Sequence, residues 1–158
     1  MGEKLQKVSS KGLWISTLAV LVLMSVQAWS GNWITFFLIL PGGPGDLSAQ
    51  FTQAMAGFAV YHAIMGFIIG LGSIVVLIFA FISKSSIYVR IFAILGLILT
   101  ASAAIGGILF QQSGYQDRWP LGQMADSFVG AYAAYFLQLF FMNKTPNLPW
   151  IKNIKQAS

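Results

Sequence analysis

The chain has 158 residues, of which 57% are hydrophobic and 8% are charged. Because about a quarter of the residues in a soluble domain are charged, this composition excludes an ordinary soluble protein. The absence of cysteine from the sequence also excludes disulfides, thiolate metal sites and cysteine-ligated iron–sulfur clusters. The length is that of a single domain, residues 1–158. The apolar composition predicts that this domain is embedded in a cell membrane.

Four apolar stretches predict membrane-spanning helices, since about 20 residues at 1.5 Å rise cover the hydrocarbon layer. The predicted helices cover residues 13–29, 54–82, 91–110 and 124–142. Residues 33–40 form a shorter apolar piece, which is followed by a Pro/Gly cluster at residues 41–45. We interpret this piece as an interfacial or re-entrant segment, or as the end of a tilted first helix.

Positive charge predicts the orientation of these helices. Eight of the nine Lys and Arg residues fall in the N-terminal tail, the turn at residues 83–90 and the C-terminal tail. By the positive-inside rule, the expected fold is an all-α, up-down bundle of four transmembrane helices with both termini cytoplasmic. Basic tails beside anionic lipid account for the net charge of +5, so no nucleic-acid partner is expected.

The second predicted helix carries the candidate site. His62 is the only histidine, and Gly66 and Gly70 follow it at four-residue spacing, which places all three on one helix face. An imidazole in lipid needs a partner or faces the bundle interior. Two interpretations stay open: a hydrogen bond to a neighbouring helix, or a functional group that ligates haem or another metal, or carries protons.

Small residues predict where helices pack closely, or where a cavity could hold a cofactor, a quinone or a lipid tail. The predicted packing residues are Ala59, Gly66, Gly70, Ser102, Ala103, Gly106, Gly107, Gly130 and Ala134. Gln27 and Gln138 are predicted to donate or accept hydrogen bonds between helices. Asp126 is expected in the first turn of the fourth helix, where the helix dipole stabilises an acid.

Several of these positions occur in an order that is similar to that of a known group of membrane proteins. They are Gln27 and Gly31 on the first helix, His62 and Gly66 on the second, and Gly106 and Gly107 on the third. In this order of features the chain resembles small four-helix membrane proteins of the cytochrome b, or haem-b, type. That resemblance implies a haem b held by His62 beside Gly66 and Gly70. Such families usually have a second His opening the fourth helix, where this chain has Met124. A thioether ligand opposite His62 would have to come from Met124, Met65 or Met55.

The expected function follows from two features of the sequence: many residues suited to helix packing, and few side chains in arrangements that could catalyse a reaction. Within the sequence we find no Ser-His-Asp set, phosphate loop or intramembrane carboxylate pair. The first hypothesis is a non-catalytic accessory subunit of a larger complex of respiratory or oxidase type, in contact with lipids and other membrane subunits. The alternatives are a haem-b electron carrier that uses His62, and a small channel or transporter with a polar path around Gln27, His62 and Gln138.

Overall fold

The computed structural model describes residues 2–38, 46–113 and 118–144, with side chains for residues 8–31, 60–113 and 118–142. These residues form four helices: α1 (Gly2–Leu38), α2 (Asp46–Ile82), α3 (Ile87–Gln112) and α4 (Arg118–Lys144). Three of them contain segments that are long and apolar enough to cross a membrane, namely Val8–Gly31, Val60–Ile82 and Ile87–Gln112. α4 does not reach the same hydropathy. The described part of the chain is therefore an all-helical fold, and its three long apolar segments indicate a membrane protein.

The first two helices are longer than the sequence predicts. α1 continues through residues 33–38 to Leu38, so this piece is the end of helix 1, and residues 39–45 lie outside the described part of the chain. A lone glycine such as Gly31 costs about 1 kcal/mol in a helix interior and does not end it. α2 begins at Asp46.

The start of α4 corrects the expectation for Asp126. α4 begins at Arg118 rather than near residue 124, so Asp126 lies in the third turn and not in the first. Pro120 is compatible with this earlier start, because the first turn of a helix tolerates proline. The dipole at the helix N-terminus acts within the first turn and therefore does not account for Asp126.

The core of the bundle follows a seven-residue repeat. The buried positions that follow this repeat are Leu13, Thr17, Val20, Met24 and Gln27 of α1, and Ile69, Ser73, Val76 and Ala80 of α2, while Ser9, Leu21 and Ser30 of α1 are also buried. Both sets alternate steps of four and three residues, which is the spacing of a left-handed helix bundle. α1 packs on α2, α2 on α3, α3 on α4 and α4 on α1, so the four helices form a closed ring.

Glycines mark the closest contacts between helices. A Cβ atom added to Gly96 would lie 2.5 Å from Cζ of Tyr135, and one added to Gly106 would lie 2.9 Å from the backbone nitrogen of Met124. Gly130 similarly faces Leu99 at 3.2 Å. α3 and α4 can therefore approach closely only because these positions lack side chains.

The other predicted packing residues differ in their surroundings. Ser102 bonds to Ser127 of α4 at 2.9 Å, Ala134 is buried and Ala103 is half-buried. A Cβ atom on Gly70 would meet nothing within 4 Å, so Gly70 makes no close helix contact within the described chain. The side chain of Ala59 lies outside the described side chains.

Candidate functional site between α1 and α2

The lone histidine lies in a polar cluster formed by Gln27 and Ser30 of α1 with His62 of α2. The two helices are antiparallel, so the C-terminal part of one lies beside the N-terminal part of the other. The side-chain Nε2 of Gln27 donates to the backbone oxygen of His62 at 2.9 Å. The Oγ of Ser30 lies 3.0 Å from Nδ1 of His62. The cluster thus joins two helices through both the backbone and the side chain of His62.

The hydrogen bonds of Ser30 assign the tautomer of the imidazole. Its hydroxyl donates to the backbone oxygen of Gln27 at 2.9 Å, which uses its single hydrogen. While this bond is formed, Ser30 Oγ accepts from His62, which favours the tautomer with the proton on Nδ1 and a lone pair on Nε2. This is the arrangement by which proteins orient a histidine whose Nε2 binds a proton or a metal.

Two glycines shape the cluster. A Cβ atom on Gly31 would lie 3.0 Å from Cε1 of His62, so the half-buried ring rests directly on the backbone of α1. A Cβ atom on Gly66 would lie 3.5 Å from Nε2 of Gln27, which is ordinary van der Waals contact. The tighter of the two contacts is therefore at Gly31, where an added methyl group would require the imidazole to shift by a few tenths of an ångström, and Gly66 provides space for the amide of Gln27.

The cluster leaves two hydrogen-bond acceptors unused. Within the described side chains, Nε2 of His62 has no hydrogen-bond partner, and the buried Oε1 of Gln27 has none either. Buried polar atoms normally find a protein or water partner. The cluster can therefore accept hydrogen bonds from a donor, such as water or a hydroxyl-bearing molecule, and Nε2 can also accept a proton.

The remaining predicted cofactor residues lie apart from this cluster. The sulfur of Met124 packs against Gly107 of α3, at 3.4 Å from the position of an added Cβ atom. His62 instead contacts α1, so the two candidate ligands belong to different helix pairs. Gly70 faces open space, as described above. Among the described residues no group of three or more His, Cys, Asp or Glu side chains could hold a metal ion.

A second polar cluster lies deeper in the bundle and was not predicted, apart from Gln138. Its members are Thr17, Ser73, Thr100, Tyr135 and Gln138, and all four helices contribute to it. The Nε2 of Gln138 donates to Thr17 at 3.4 Å, and the hydroxyl of Ser73 donates to Thr100 at 3.5 Å. The buried hydroxyl of Tyr135 has no hydrogen-bond partner among the described residues. The sequence did contain a signal for this cluster and for Ser30. These polar residues lie three or four positions from other buried residues, which places them on the same helix face.

An apolar layer separates the two polar clusters. Between Thr17 and Gln27 of α1, the core-facing residues are Val20, Leu21 and Met24. The two polar positions are ten residues apart, or about 15 Å along the helix. The two clusters therefore do not form a continuous polar path through the described core.

Comparison with known proteins adds no homologue to this description. No protein-family model matches the chain, and no curated protein or solved structure matches it either. The interpretation of the two clusters therefore depends on their own geometry.

Proposed function

We propose that this chain is a membrane protein with four spans and cytoplasmic termini, and that it acts as a non-catalytic accessory subunit of a larger membrane complex. The respiratory or oxidase type of that complex follows only from the resemblance to haem-b proteins. The proposal has two parts, the membrane topology and the role as a subunit. Each part has its own support and its own test.

The fourth span is supported by the ladder of contacts between α3 and α4. From one end to the other, the paired residues are Phe92 with Phe141, Gly96 with Tyr135, Ser102 with Ser127, and Gly106 with Met124. α3 is apolar enough to cross a membrane. A helix that runs antiparallel beside it over this length occupies the same depth of the bilayer. The lower hydropathy of α4 reflects its polar residues, of which Ser127 and Gln138 bond to other helices and Asp126 is exposed.

The orientation is supported by the described cations at one end of the bundle, namely Lys11, Lys84 and Arg90. The cysteine-free sequence allows a direct test. Single cysteines introduced at Gly43 or Gly114 should react with a membrane-impermeant maleimide in intact cells. A cysteine introduced at Ser158 should react only after the cells are opened. Labelling of Ser158→Cys in intact cells would contradict the proposed topology.

The observation that carries the subunit role is an open notch on the lipid-facing surface. Gly70 of α2 has no atom within 4 Å of an added Cβ position, and it lies among exposed Phe67, Leu71 and Ile74. Glycine in a membrane helix allows another helix to approach closely. Since no other helix of the described chain fills this notch, we assign it to a neighbouring subunit.

Purification from native membranes in a mild detergent tests the subunit role. The expected result is a particle larger than the 17.2 kDa chain, with defined co-purifying membrane proteins. Gly70→Ile should weaken this association by filling the notch, whereas Ile98→Ala on the exposed face of α3 serves as a control. A monodisperse monomer without other subunits would contradict the proposal.

Haem binding at His62 is a second candidate, because the bond from Nδ1 to Ser30 leaves Nε2 free to ligate iron. The described site fits one axial ligand and does not supply a second, since Met124 packs on α3. A bound haem would supply one-electron transfer. The protein residues would orient the imidazole through Ser30 and Gln27. A Soret band that is lost in His62→Ala but kept in Ser16→Ala would favour this candidate.

A channel or transporter finds less support. The apolar layer of Val20, Leu21 and Met24 interrupts the polar path that this hypothesis requires. Ion or proton flux in liposomes that contain the purified chain, abolished by Gln27→Leu, would restore the hypothesis.

A further inference from the structure

Asp126 lies on the face of α4 that points away from the bundle, two turns after the start of the helix. Its neighbour Ser127 bonds to Ser102 of α3 at 2.9 Å. Ser102 is eight residues before Phe110, the last apolar residue of α3, which corresponds to about 12 Å along the helix. In the proposed four-span topology, with Phe110 at the edge of the hydrocarbon layer, Asp126 would lie about 10 Å inside that layer. Its side chain is exposed.

An ionised group at this depth requires a partner, because charged side chains in lipid are costly and almost always pair or face a polar cavity. Within the described side chains Asp126 forms no ion pair or hydrogen bond. Arg118 is the described cation nearest to it along α4, and it lies two turns towards the helix start, about 12 Å away along the axis. The described chain therefore does not neutralise its own intramembrane acid.

The surface around Asp126 has the shape of a docking site. A groove of about 470 Å³ runs along α4 and is lined by Arg118, Trp119, Gly122, Gln123, Asp126 and Ser127. A Cβ atom on Gly122 would meet nothing within 4 Å, so the backbone is open to close approach at this point. The Oε1 of Gln123 is buried and has no hydrogen-bond partner among the described residues.

The same face continues along the helix as a stripe of exposed residues. Its members after Gly122 are Asp126, Val129, Ala133, Phe136 and Phe140, and their spacing alternates between three and four residues. This is the spacing of a seam between packed helices, and it lies opposite the buried face of α4. Small residues and one acid within the stripe distinguish it from a purely lipid-facing surface.

We propose that this face of α4 binds a membrane-spanning helix of a different protein, which carries a Lys or Arg side chain at the depth of Asp126. A second copy related by an axis along the membrane normal would place identical residues at equal depth, and would thus bring an acid to face Asp126. Cationic lipid headgroups lie at the interface, about 10 Å above the carboxylate. Charge complementarity therefore selects a different protein.

This inference rests on the proposed four-span topology and subunit role, and it adds a second contact surface to the notch at Gly70. The test is photo-cross-linking in native membranes, with p-benzoylphenylalanine at Val129 or Phe136 on the α4 face. A probe at Phe67 of α2 reports the Gly70 notch, and a probe at Ile98 of α3 serves as the control on another exposed face. The expected result is a cross-link from α4 to one other membrane protein. Asp126→Asn should reduce its yield roughly tenfold, as expected when the binding free energy falls by about 1.4 kcal/mol.

A charge exchange identifies the partner residue. Asp126→Lys should abolish the cross-link, and replacement of the facing Lys or Arg in the partner by Glu should restore it. Cross-links only to lipid, or to a second copy of this chain, would overturn the inference, as would a yield unchanged by Asp126→Asn. Cross-links to another protein from Phe67 or Ile98 alone would overturn the α4 surface and leave the subunit role intact. No protein cross-link from any face would overturn both.

Discussion

Ser30 and His62 are joined across the α1–α2 interface by a hydrogen bond of 3.0 Å between Oγ and Nδ1. Because the hydroxyl of Ser30 already donates to the backbone oxygen of Gln27, the imidazole is the donor in this contact. One serine thus determines which nitrogen of the lone histidine keeps a lone pair. The chemistry available at His62 therefore depends on a residue of a different helix.

Ser30→Ala should release the histidine tautomer. Without the acceptor on α1, the ring loses its preference for a proton on Nδ1, and both tautomers become populated. Nitrogen NMR of labelled histidine in micelles should show one tautomer in the wild type and a mixture in the variant. The loss of stability should be about 1 kcal/mol. Ser16→Ala is the matched control, since Ser16 bonds only within its own helix, and an unchanged spectrum for Ser30→Ala would contradict the assignment.

Gly96→Ala should destabilise the bundle. The new methyl group would lie 2.5 Å from Cζ of the fully buried Tyr135 and would force α3 and α4 apart. Overpacking of this kind typically costs about 1–3 kcal/mol. Unfolding of the isolated chain in mixed micelles measures the effect.

The control for this variant is Gly70→Ala, because the added methyl group meets nothing within 4 Å. Alanine has the higher helix propensity, so this variant should be neutral or more stable by up to about 1 kcal/mol. Equal destabilisation by both substitutions, or stabilisation by Gly96→Ala, would contradict the role assigned to the contact between Gly96 and Tyr135.

Gln138→Leu should leave stability unchanged or raise it. Gln138 is fully buried, its Oε1 has no hydrogen-bond partner among the described residues, and its contact with Thr17 is long at 3.4 Å. Leucine has a similar volume and removes the unsatisfied Oε1, and the only hydrogen bond that is lost is the weak one to Thr17. Thermal unfolding in detergent is the measurement. A loss of more than about 2 kcal/mol would indicate a well-bonded Gln138, for instance through buried water.

Phe141→Ala should loosen the end of the bundle at which α3 begins. The ring of Phe141 stacks on Tyr88 at 5.3 Å and on Phe92 at 5.5 Å between centroids. Truncation of a packed phenylalanine costs about 3–5 kcal/mol in a core, and less at a partly buried site such as this one. Hydrogen exchange of the first turns of α3 should accelerate. Phe67→Ala, at a side chain that is 68% exposed, should have no such effect.

The sequence predicted the existence of the four helices more accurately than their ends. Apolar stretches without charge identify α2 and α3, because transfer to lipid depends on local composition. The start of α4 at Arg118 was missed, since Trp119 and Pro120 in a polar context indicate a loop when only neighbours in sequence are considered. The same error put Asp126 in the first turn of α4 and hid its exposed position along the bundle.

The candidate site could be predicted only in part, because contacts between helices cannot be read from neighbours in sequence. His62 and Gly66 were recognised from their spacing on one helix, and the structure places both beside Gln27. Ser30 was missed, because a serine in an apolar helix is commonplace and its bond to His62 spans 32 positions in sequence. Met124 was predicted as a ligand from its place near the helix start, but its sulfur packs on Gly107 of α3.

The amino-acid sequence by itself determined that this chain is helical and lies in a membrane. Transfer of a helix into lipid depends on the hydropathy of about 20 consecutive residues, which is a local property of the sequence. Only the tertiary structure decided which groups meet: it brings Ser30 to His62, leaves the notch at Gly70 open among the described helices, and leaves Asp126 without a partner among the described residues. Hydrogen bonds and ion pairs act over a few ångströms between helices, and the packing of small and large residues sets those distances.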